Sequence, residues 1–497
     1  LPPSPETRPF GFPEKHALTS QLGASKHWSH KTSRPVFAGI PNPLLDESVA
    51  QENSMNSAAV APSSRLDQLN RRLQAARTRS EELFQIVRPA ALYDRPVPER
   101  HRIIFYCGHL EAFDWNLLRE PLRLSSFDPN FDKLFAFGID PVDGGLPTDQ
   151  PKDWPSADRV REYNKRLREQ LDAAIVAIAT KDPDLTCLEH GRLLEVAIEH
   201  RLMHAETLCY MLHQLPVDRK LSQPIAQPPV APAHDTRCVE IPAGTATLGL
   251  CRSKDGPFGW DNEFEEHRIE IPAFAIDACN VTNRDYMRFV REGGYERRAL
   301  WSDSGWEWNT SHEHSFPSFW IPNGNSWSYR TMFAEIPLPL DWPVYVSHDE
   351  ASAYARWAGK ELPSEAEWHR AALGTRSSSE RAHPWGDEAP DSRHGNFDFE
   401  RWDPVPAGSY PEGNSDFGVA DLVGNGWEWT RTPFAPLPGF QPFSFYPGYS
   451  ANFFDGKHFV MKGGSPRTAT CMLRRSFRNW FQPHYPYVYA TFRCVEH

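Results

Sequence analysis

From about residue 64 onward, apolar side chains recur every three or four positions, the period of a helix with one buried face. Leu66, Leu69 and Leu73, followed by Leu83, Ile86 and Val87, mark a first helix. Ile103–Leu118 continues in the same style and carries His109. Asp153-Trp-Pro-Ser-Ala-Asp158 opens a third helix, with Ser156 placed as its N-cap ahead of Val160, Tyr163, Leu167 and Leu171. Leu185–Leu215 reads as a fourth, stopped by Pro216. Four amphipathic helices with connecting loops predict an all-α four-helix bundle over residues 61–220. Residues 1–60, rich in Pro, Ser and His, show no apolar period and read as a disordered tail. Within it, Met55 has the look of a start that would make the preceding segment an extension.

A different texture follows. Residues 221–236 form a Pro-rich linker. Residues 237–497 then show short strand-like runs (Val239-Glu-Ile-Pro, His267-Arg-Ile-Glu-Ile-Pro), much Gly, Pro and Trp, and one clear helix near 348–359. The expected fold is therefore multidomain: the bundle, then an irregular α+β domain.

Composition narrows the class. The 53 basic and 65 acidic side chains leave a net charge of −12, and no basic run suits a phosphate backbone, so nucleic acid is not an expected partner. No apolar stretch approaches the roughly 18 residues of a membrane span. No secretory pattern opens the chain, and the eight cysteines include no C-x-x-C pair, which points to reduced thiols and a cytoplasmic protein. The 17 Trp are concentrated after residue 250, where they serve loop-rich cores and offer faces to cations.

Chemistry enters through Glu199-His-Arg-Leu-Met-His-Ala-Glu206. His200 and His204, four apart, share one helical face and can reach one ion. His109, on a separate helix, is the candidate third ligand, with His101 and His190 as competitors. Three imidazoles on one side of an ion suit a non-haem iron enzyme or a hydrolytic zinc site. The zinc-protease pattern H-E-x-x-H is absent, since Arg201 follows His200. Glu206, rotated about 200° from His204, is expected to bond a group that supports the ligands or the fold, and His213 to be structural.

Five segments in order, Tyr354-Ala-Arg-Trp-Ala-Gly-Lys-Glu-Leu-Pro-Ser-Glu-Ala-Glu-Trp368, Pro384-Trp-Gly-Asp387, Gly424-Asn-Gly-Trp-Glu-Trp-Thr430, Lys462-Gly-Gly-Ser465 and Phe492-Arg493, closely resemble the formylglycine-generating-enzyme (sulfatase-modifying-factor) fold, which is C-type-lectin-like. The first domain, with its H-x-x-x-H-x-E, resembles the DinB-like bundle. That pairing resembles the ergothioneine-biosynthetic sulfoxide synthases over about residues 64–497. The resemblance implies a single Fe(II) on His109, His200 and His204, with O₂ as co-substrate. It also implies joining of a thiol sulfur to the imidazole of hercynine, a histidine betaine, with oxidation to a sulfoxide. Phe445-Tyr-Pro-Gly-Tyr-Ser450 resembles a family loop whose first tyrosine, here Tyr446, donates a proton; its second, Tyr449, helps place hercynine. Tyr93, Tyr106 and Tyr163 are alternatives from the bundle. In Ser476-Phe-Arg-Asn-Trp480 the resemblance implies that Asn479 bonds the betaine carboxylate and Trp480 faces its trimethylammonium group.

Departures redirect the substrate. Met203 stands where relatives carry a Gln that contacts hercynine, and Phe481 where an acidic residue holds the amine of γ-glutamylcysteine. Phe137-Gly-Ile-Asp-Pro-Val-Asp-Gly-Gly-Leu-Pro147 lacks the arginine pair that grips that donor's carboxylates. Cysteine, another small thiol or a selenium donor, as in the related selenoneine synthases, is expected instead, with Arg474, Arg475, Arg478 and His484 as carboxylate contacts. Formylglycine generation is disfavoured because Cys471 has no near cysteine partner. A non-catalytic metal- or ligand-binding protein is the other class that this architecture allows.

Overall fold

The computed structural model describes residues 64–136, 146–178, 181–224, 227–233, 235–253 and 256–497. The tail with Met55, and most of the segment 137–147, lie outside the described residues.

The apolar stripes become helices α1 (Arg65–Ile86), α2 (Ile103–Leu118), α4 (Ala157–Ile178) and α5 (Arg192–Gln214), with a short α3 (Pro129–Leu134) between the second and third long helices. Ser64 caps α1 in a capping box with Asp67. On α4 the buried residues are Val160, Tyr163, Leu167, Leu171 and Ile175, the one-faced pattern of a helix on the bundle surface. Helices α2 and α5 are buried on nearly every side. A helix so placed must lie at the centre of the protein, and its polar residues must find partners there.

The fourth helix starts later than its apolar pattern implies, at Arg192 rather than Leu185. Leu185, Glu189 and His190 hold φ values of 52°, 50° and 58°, and Gly191 follows at 90°. Left-handed backbone cannot continue an α-helix, so Thr186–Gly191 is a tight turn that leads into α5.

The remainder is α+β with long irregular connections. It contains helices α6 (Asn283–Arg291), α7 (Asp303–Ser311), α8 (His348–Trp357), α9 (Glu365–Leu373) and α10 (Gly448–Ala451). Strands β1 (Cys238–Ile241), β2 (Gly244–Leu248), β3 (His267–Ile271) and β4 (Phe274–Asp277) come first; β5 (Trp320–Asn323), β6 (Ser326–Arg330) and β7 (Glu335–Pro337) follow. Then come β8 (Gly426–Pro433), β9 (Phe459–Gly464), β10 (Asn479–Phe481), β11 (Ala490–Thr491) and β12 (Val495–Glu496). The sheet that matters for the site runs β10-β9-β8-β11, with Asn479 opposite Met461 and Phe481 opposite Phe459. Smaller sheets are β1-β4-β12, β5-β6-β7 and β2-β3. Among the described residues no helix is long and apolar enough to cross a membrane.

One hydrophobic core runs from the bundle into this second part, joining Leu208 and Met211 of α5 with Trp260, Trp427, Tyr485 and Tyr489. Buried polar contacts fix the seam. Glu206 accepts from the Trp427 indole at 2.7 Å and from the hydroxyls of Ser465 and Thr468. Arg474 bridges Glu199 of α5 and Glu263. His213 bonds the Arg330 carbonyl at 2.7 Å and the Tyr489 hydroxyl. Glu206 and His213 are thus structural, as their positions on α5 imply.

Candidate metal centre

Helix α2 brings His109, and α5 brings His200 and His204, to one point. Their ligand atoms all lie within 4.8 Å of one another, and all three residues are buried. The Nε2 atoms of His109 and His204 stand 3.3 Å apart. Two ring nitrogens about 2.1 Å from one ion would be separated by about 3.0 Å at a right angle and about 3.4 Å at the tetrahedral angle, so the donor pair fits a shared metal. Burial drives the imidazoles toward the neutral, lone-pair-bearing form. His109 falls to about 4, and His200 and His204 fall well below the usual histidine range, each pushed further by neighbouring imidazoles or guanidinium groups. His101 stacks instead on Phe105, and the Nδ1 of His190 lies 3.0 Å from the Asp184 carbonyl.

Surrounding groups orient the triad. Nδ1 of His109 lies 2.7 Å from the Phe135 carbonyl, the bond that leaves Nε2 free to coordinate. Gly108 makes this approach possible, since a Cβ there would stand 2.6 Å from the Phe135 ring. Phe113, one turn beyond His109, lies flat on His200 with ring centres 3.4 Å apart. Arg201 points the other way, into the bundle. It donates to Glu111, Asp114 and the Leu110 carbonyl of α2, which locks the register in which the two helices present their histidines.

The second part of the chain closes over this point. The ring of Tyr446 lies 5.6 Å from that of Phe113, and burial together with Asp261 pushes its phenol up to about 12. Tyr449 stacks on Trp260 at 4.0 Å and donates its hydroxyl to the Met203 sulfur at 3.4 Å. Tyr449 also meets Trp480 edge-on at 5.5 Å; Trp480 in turn stacks on Phe434 at 4.2 Å and tilts against Phe453. The carbonyl oxygen of the Asn479 side chain accepts from the Trp480 backbone N–H. Tyr446, Tyr449, Met203, Asn479 and Trp480 thus form one connected group beside the histidines. Phe481 is stacked on Tyr485 at 5.3 Å, with the Arg100 guanidinium over both rings. Among the bundle tyrosines, Tyr106 lies 5.7 Å from the His204 ring, whereas Tyr93 donates to the Pro155 carbonyl and Tyr163 to Asp132.

The arginines expected to bind substrate have partners inside the protein. Arg478 is buried and its guanidinium is spent on Glu365, at 2.9 and 3.0 Å, and on the Ala435 carbonyl. Arg474 serves Glu199 and Glu263, and Arg475 serves Glu380 and the Thr247 carbonyl. His484 stacks on Trp308. All eight cysteines are free thiols, and Cys471 is half-buried beside the Arg474 guanidinium, which donates to its carbonyl.

Two features lie outside the sequence reading. Trp260 supports both Tyr449 and, through its indole N–H, Glu199. A cavity of about 670 Å³, lined by Phe113, Asn116, Arg119, Asp132, Lys133 and Tyr446 among others, opens beside the centre. The spacing of Phe113 from His109, four residues on one helix, was the only signal for any of this.

Comparison with known proteins accords with this arrangement. Residues 225–497 match the sulfatase-modifying factor enzyme 1-like domain, and residues 72–208 match the DinB superfamily. The hercynine oxygenase of Mycolicibacterium thermoresistibile is 37% identical over 307 residues, which span 60% of this chain and 68% of the relative. That of Mycobacterium tuberculosis is 35% identical over 340 residues, 68% of this chain and 77% of the relative. Ergothioneine biosynthesis protein 1 of Neurospora crassa is 29% identical over 498 residues, 83% of this chain but 55% of that longer protein. With a bundle that carries the histidines and a sulfatase-modifying factor enzyme 1-like domain closing over them, the chain belongs to the hercynine oxygenase family of oxidoreductases.

Proposed function

We propose that this protein is a non-haem iron(II), O₂-dependent sulfoxide synthase of ergothioneine biosynthesis, joining the sulfur of a small thiol to the imidazole of hercynine. The observation that carries the reading is the convergence of three buried, neutral histidines on one point beneath Tyr446 and Tyr449. Neutral imidazoles suit iron(II), which when bound would supply the reduction of O₂. The overall reaction balances as thiol plus imidazole C–H plus O₂ giving sulfoxide plus water: the C–H and S–H bonds break, C–S and S–O bonds form, and the four electrons go to O₂.

The protein's own residues then bind, orient and move protons. The aromatic surfaces of Trp480, Phe434, Phe453 and Tyr449 suit a trimethylammonium group, which offers charge but no hydrogen-bond donor. Asn479, whose side-chain oxygen accepts from the Trp480 N–H, offers its Nδ2 to the betaine carboxylate. Tyr446 is the proton donor: a phenol held protonated by burial delivers a proton only where a strong base forms. Cysteine or a similar small thiol fits better than γ-glutamylcysteine. Phe481 supplies no carboxylate for an amine, and Arg474, Arg475 and Arg478 are all consumed by internal carboxylates.

The test is anaerobic reconstitution with Fe(II), then oxygen uptake and mass spectrometry with hercynine and a panel of thiols and selenium donors. A coupled sulfoxide with cysteine is expected. Absence of product from every donor refutes the reading, and product from a selenium donor alone moves the assignment to a selenoneine-type synthase.

A further inference from the structure

We infer that Asp261 is the positioning residue of the tyrosine loop: acting through the Ser450 hydroxyl, its carboxylate fixes Tyr446 over the histidine centre. The inference rests on the synthase reading above, in which Tyr446 donates the proton, and assigns the group that aims it.

The loop needs such a group. Between Phe443 and Phe454, among the described residues, the backbone–backbone hydrogen bonds run from the loop to itself. The N–H of Tyr446 donates to the Phe443 carbonyl at 3.1 Å, that of Tyr449 to the Tyr446 carbonyl at 3.2 Å, and that of Phe453 to the Ser450 carbonyl at 2.9 Å. Such bonds set the shape of the loop but not its place on the protein. Phe443 and Tyr449 pack on Trp260, yet apolar contact tolerates sliding in a way that a hydrogen bond to a charge does not.

Direction comes from Ser450, which is fully buried, as are Asp261 and Asn262. Its hydroxyl accepts from the Asn262 Nδ2 at 3.0 Å and donates to the Asp261 Oδ1. The backbone N–H of Phe443 faces the same carboxylate. One carboxylate thus grips the loop on both sides of Tyr446, at 443 and at 450. An ionised acceptor makes each grip about twice as strong as a neutral one.

Asp261 is in turn tied to the helix that carries two of the histidines. It opens the short turn Asp261–Glu263, and the preceding Trp260 donates its indole N–H to Glu199 of α5 at 2.9 Å. At the far end of the turn Glu263 is held by Arg474, which also reaches Glu199, and by the Ser476 hydroxyl. The loop is therefore registered to α5 through Asp261, and Tyr446 keeps its place relative to His200 and His204. Burial first, and then the Asp261 charge, raise the Tyr446 phenol to about 12, so the same carboxylate keeps the proton on the ring it aims.

The experiment compares iron-loaded wild type with Asp261→Asn and Ser450→Ala, and repeats Asp261→Asn in a Tyr446→Phe background. Asp261→Asn keeps the size but replaces a charged acceptor by a neutral amide. It is expected to lower kcat about 10- to 100-fold, the loss of one charge-assisted contact. Ser450→Ala should act alike. In the Tyr446→Phe background Asp261→Asn should lower kcat by less than about twofold, because no donor is left to aim. A second readout needs no metal: in metal-free protein, chymotrypsin cleavage within Phe443–Phe454 should rise about tenfold in both single variants. An equal loss of kcat in both backgrounds overturns the assignment, since a residue that only supports the fold does not distinguish them. Unchanged kcat and cleavage in Asp261→Asn overturn it as well, while the synthase reading stands. If wild type makes no product from any donor, the synthase reading and the aiming of Tyr446 fall together.

Discussion

Arg478 separates a structural role from a substrate-binding one. It sits between Phe477 and Asn479, next to the segment proposed for hercynine, yet its guanidinium donates to both oxygens of Glu365 and to the Ala435 carbonyl. Arg478→Met leaves the Glu365 carboxylate buried without its principal partner. Breaking a buried pair from one side costs about 3–5 kcal/mol. Lys462, whose Nζ lies 3.9 Å from Glu365, can close on the orphaned charge, which selects the lower end. At about 2.1 cal/mol/K per residue, the unit Pro62–His497 has a transition entropy near 0.9 kcal/mol/K, so about 3 kcal/mol lowers Tm by about 3 °C. Tm is read by tryptophan fluorescence or calorimetry on the metal-free protein. Replacing both partners, Arg478→Met with Glu365→Met, removes two buried charges at once and should recover most of the loss. The reasoning is refuted if Arg478→Met melts within about 1 °C of wild type while the KM for hercynine rises steeply, because that is the behaviour of a ligand contact.

Four further outcomes follow from the centre. His204→Ala removes one of three donors and should lose Fe(II) retention in a metal assay after gel filtration, with the fold kept; full retention would dissolve the triad. Tyr446→Phe should lower kcat about 100-fold or more with little change in either KM, as loss of a proton donor does. Because burial holds that phenol at about 12, it stays protonated through neutral and mildly alkaline pH, so the wild-type rate should show no basic limb from it below about pH 10. Met203→Gln should break the Tyr449 contact to sulfur and offer the betaine a hydrogen bond, lowering the KM for hercynine by about 2- to 10-fold; an unchanged or higher KM would mean that Met203 does not face that substrate.

The parts of the molecule that were legible in the sequence are those set by local rules. The apolar period of Ile103–Leu118 reproduces α2 to the residue, because a helix buried on all sides needs continuous apolar character. The start of α5 was misplaced because left-handed turns at Glu189 and His190 leave no mark in hydrophobic spacing. The pairing of His200 with His204 follows from helical geometry alone; adding His109 required knowledge of the family, since nothing local links residues on different helices. Partner choice was the least legible. Arg478 and Glu365 are 113 positions apart, and Met203 and Tyr449 are 246 apart, so the sequence shows that these groups are polar or soft without showing what they meet.

Two turns of α5 explain why the site and the domain seam cannot be separated. At about 100° per residue, positions 199–206 divide into three faces. Glu199, Met203 and Glu206 fall within about 60° of one another and meet Arg474, Tyr449 and Trp427 of the second part. His200 and His204 form the next face and meet His109. Arg201 forms the third and reaches Glu111 and Asp114 inside the bundle. The same helix therefore carries the metal ligands, the ionic lock that sets its register on α2, and the contacts that dock the tyrosine loop above it. A rotation of α5 by even a fraction of a turn would break buried ion pairs on two faces at once. The geometry of the histidines is thus held by charges that never touch the metal, which is why Glu199, Arg201 and Glu206, polar residues in a buried helix, belong to the site as firmly as the ligands between them.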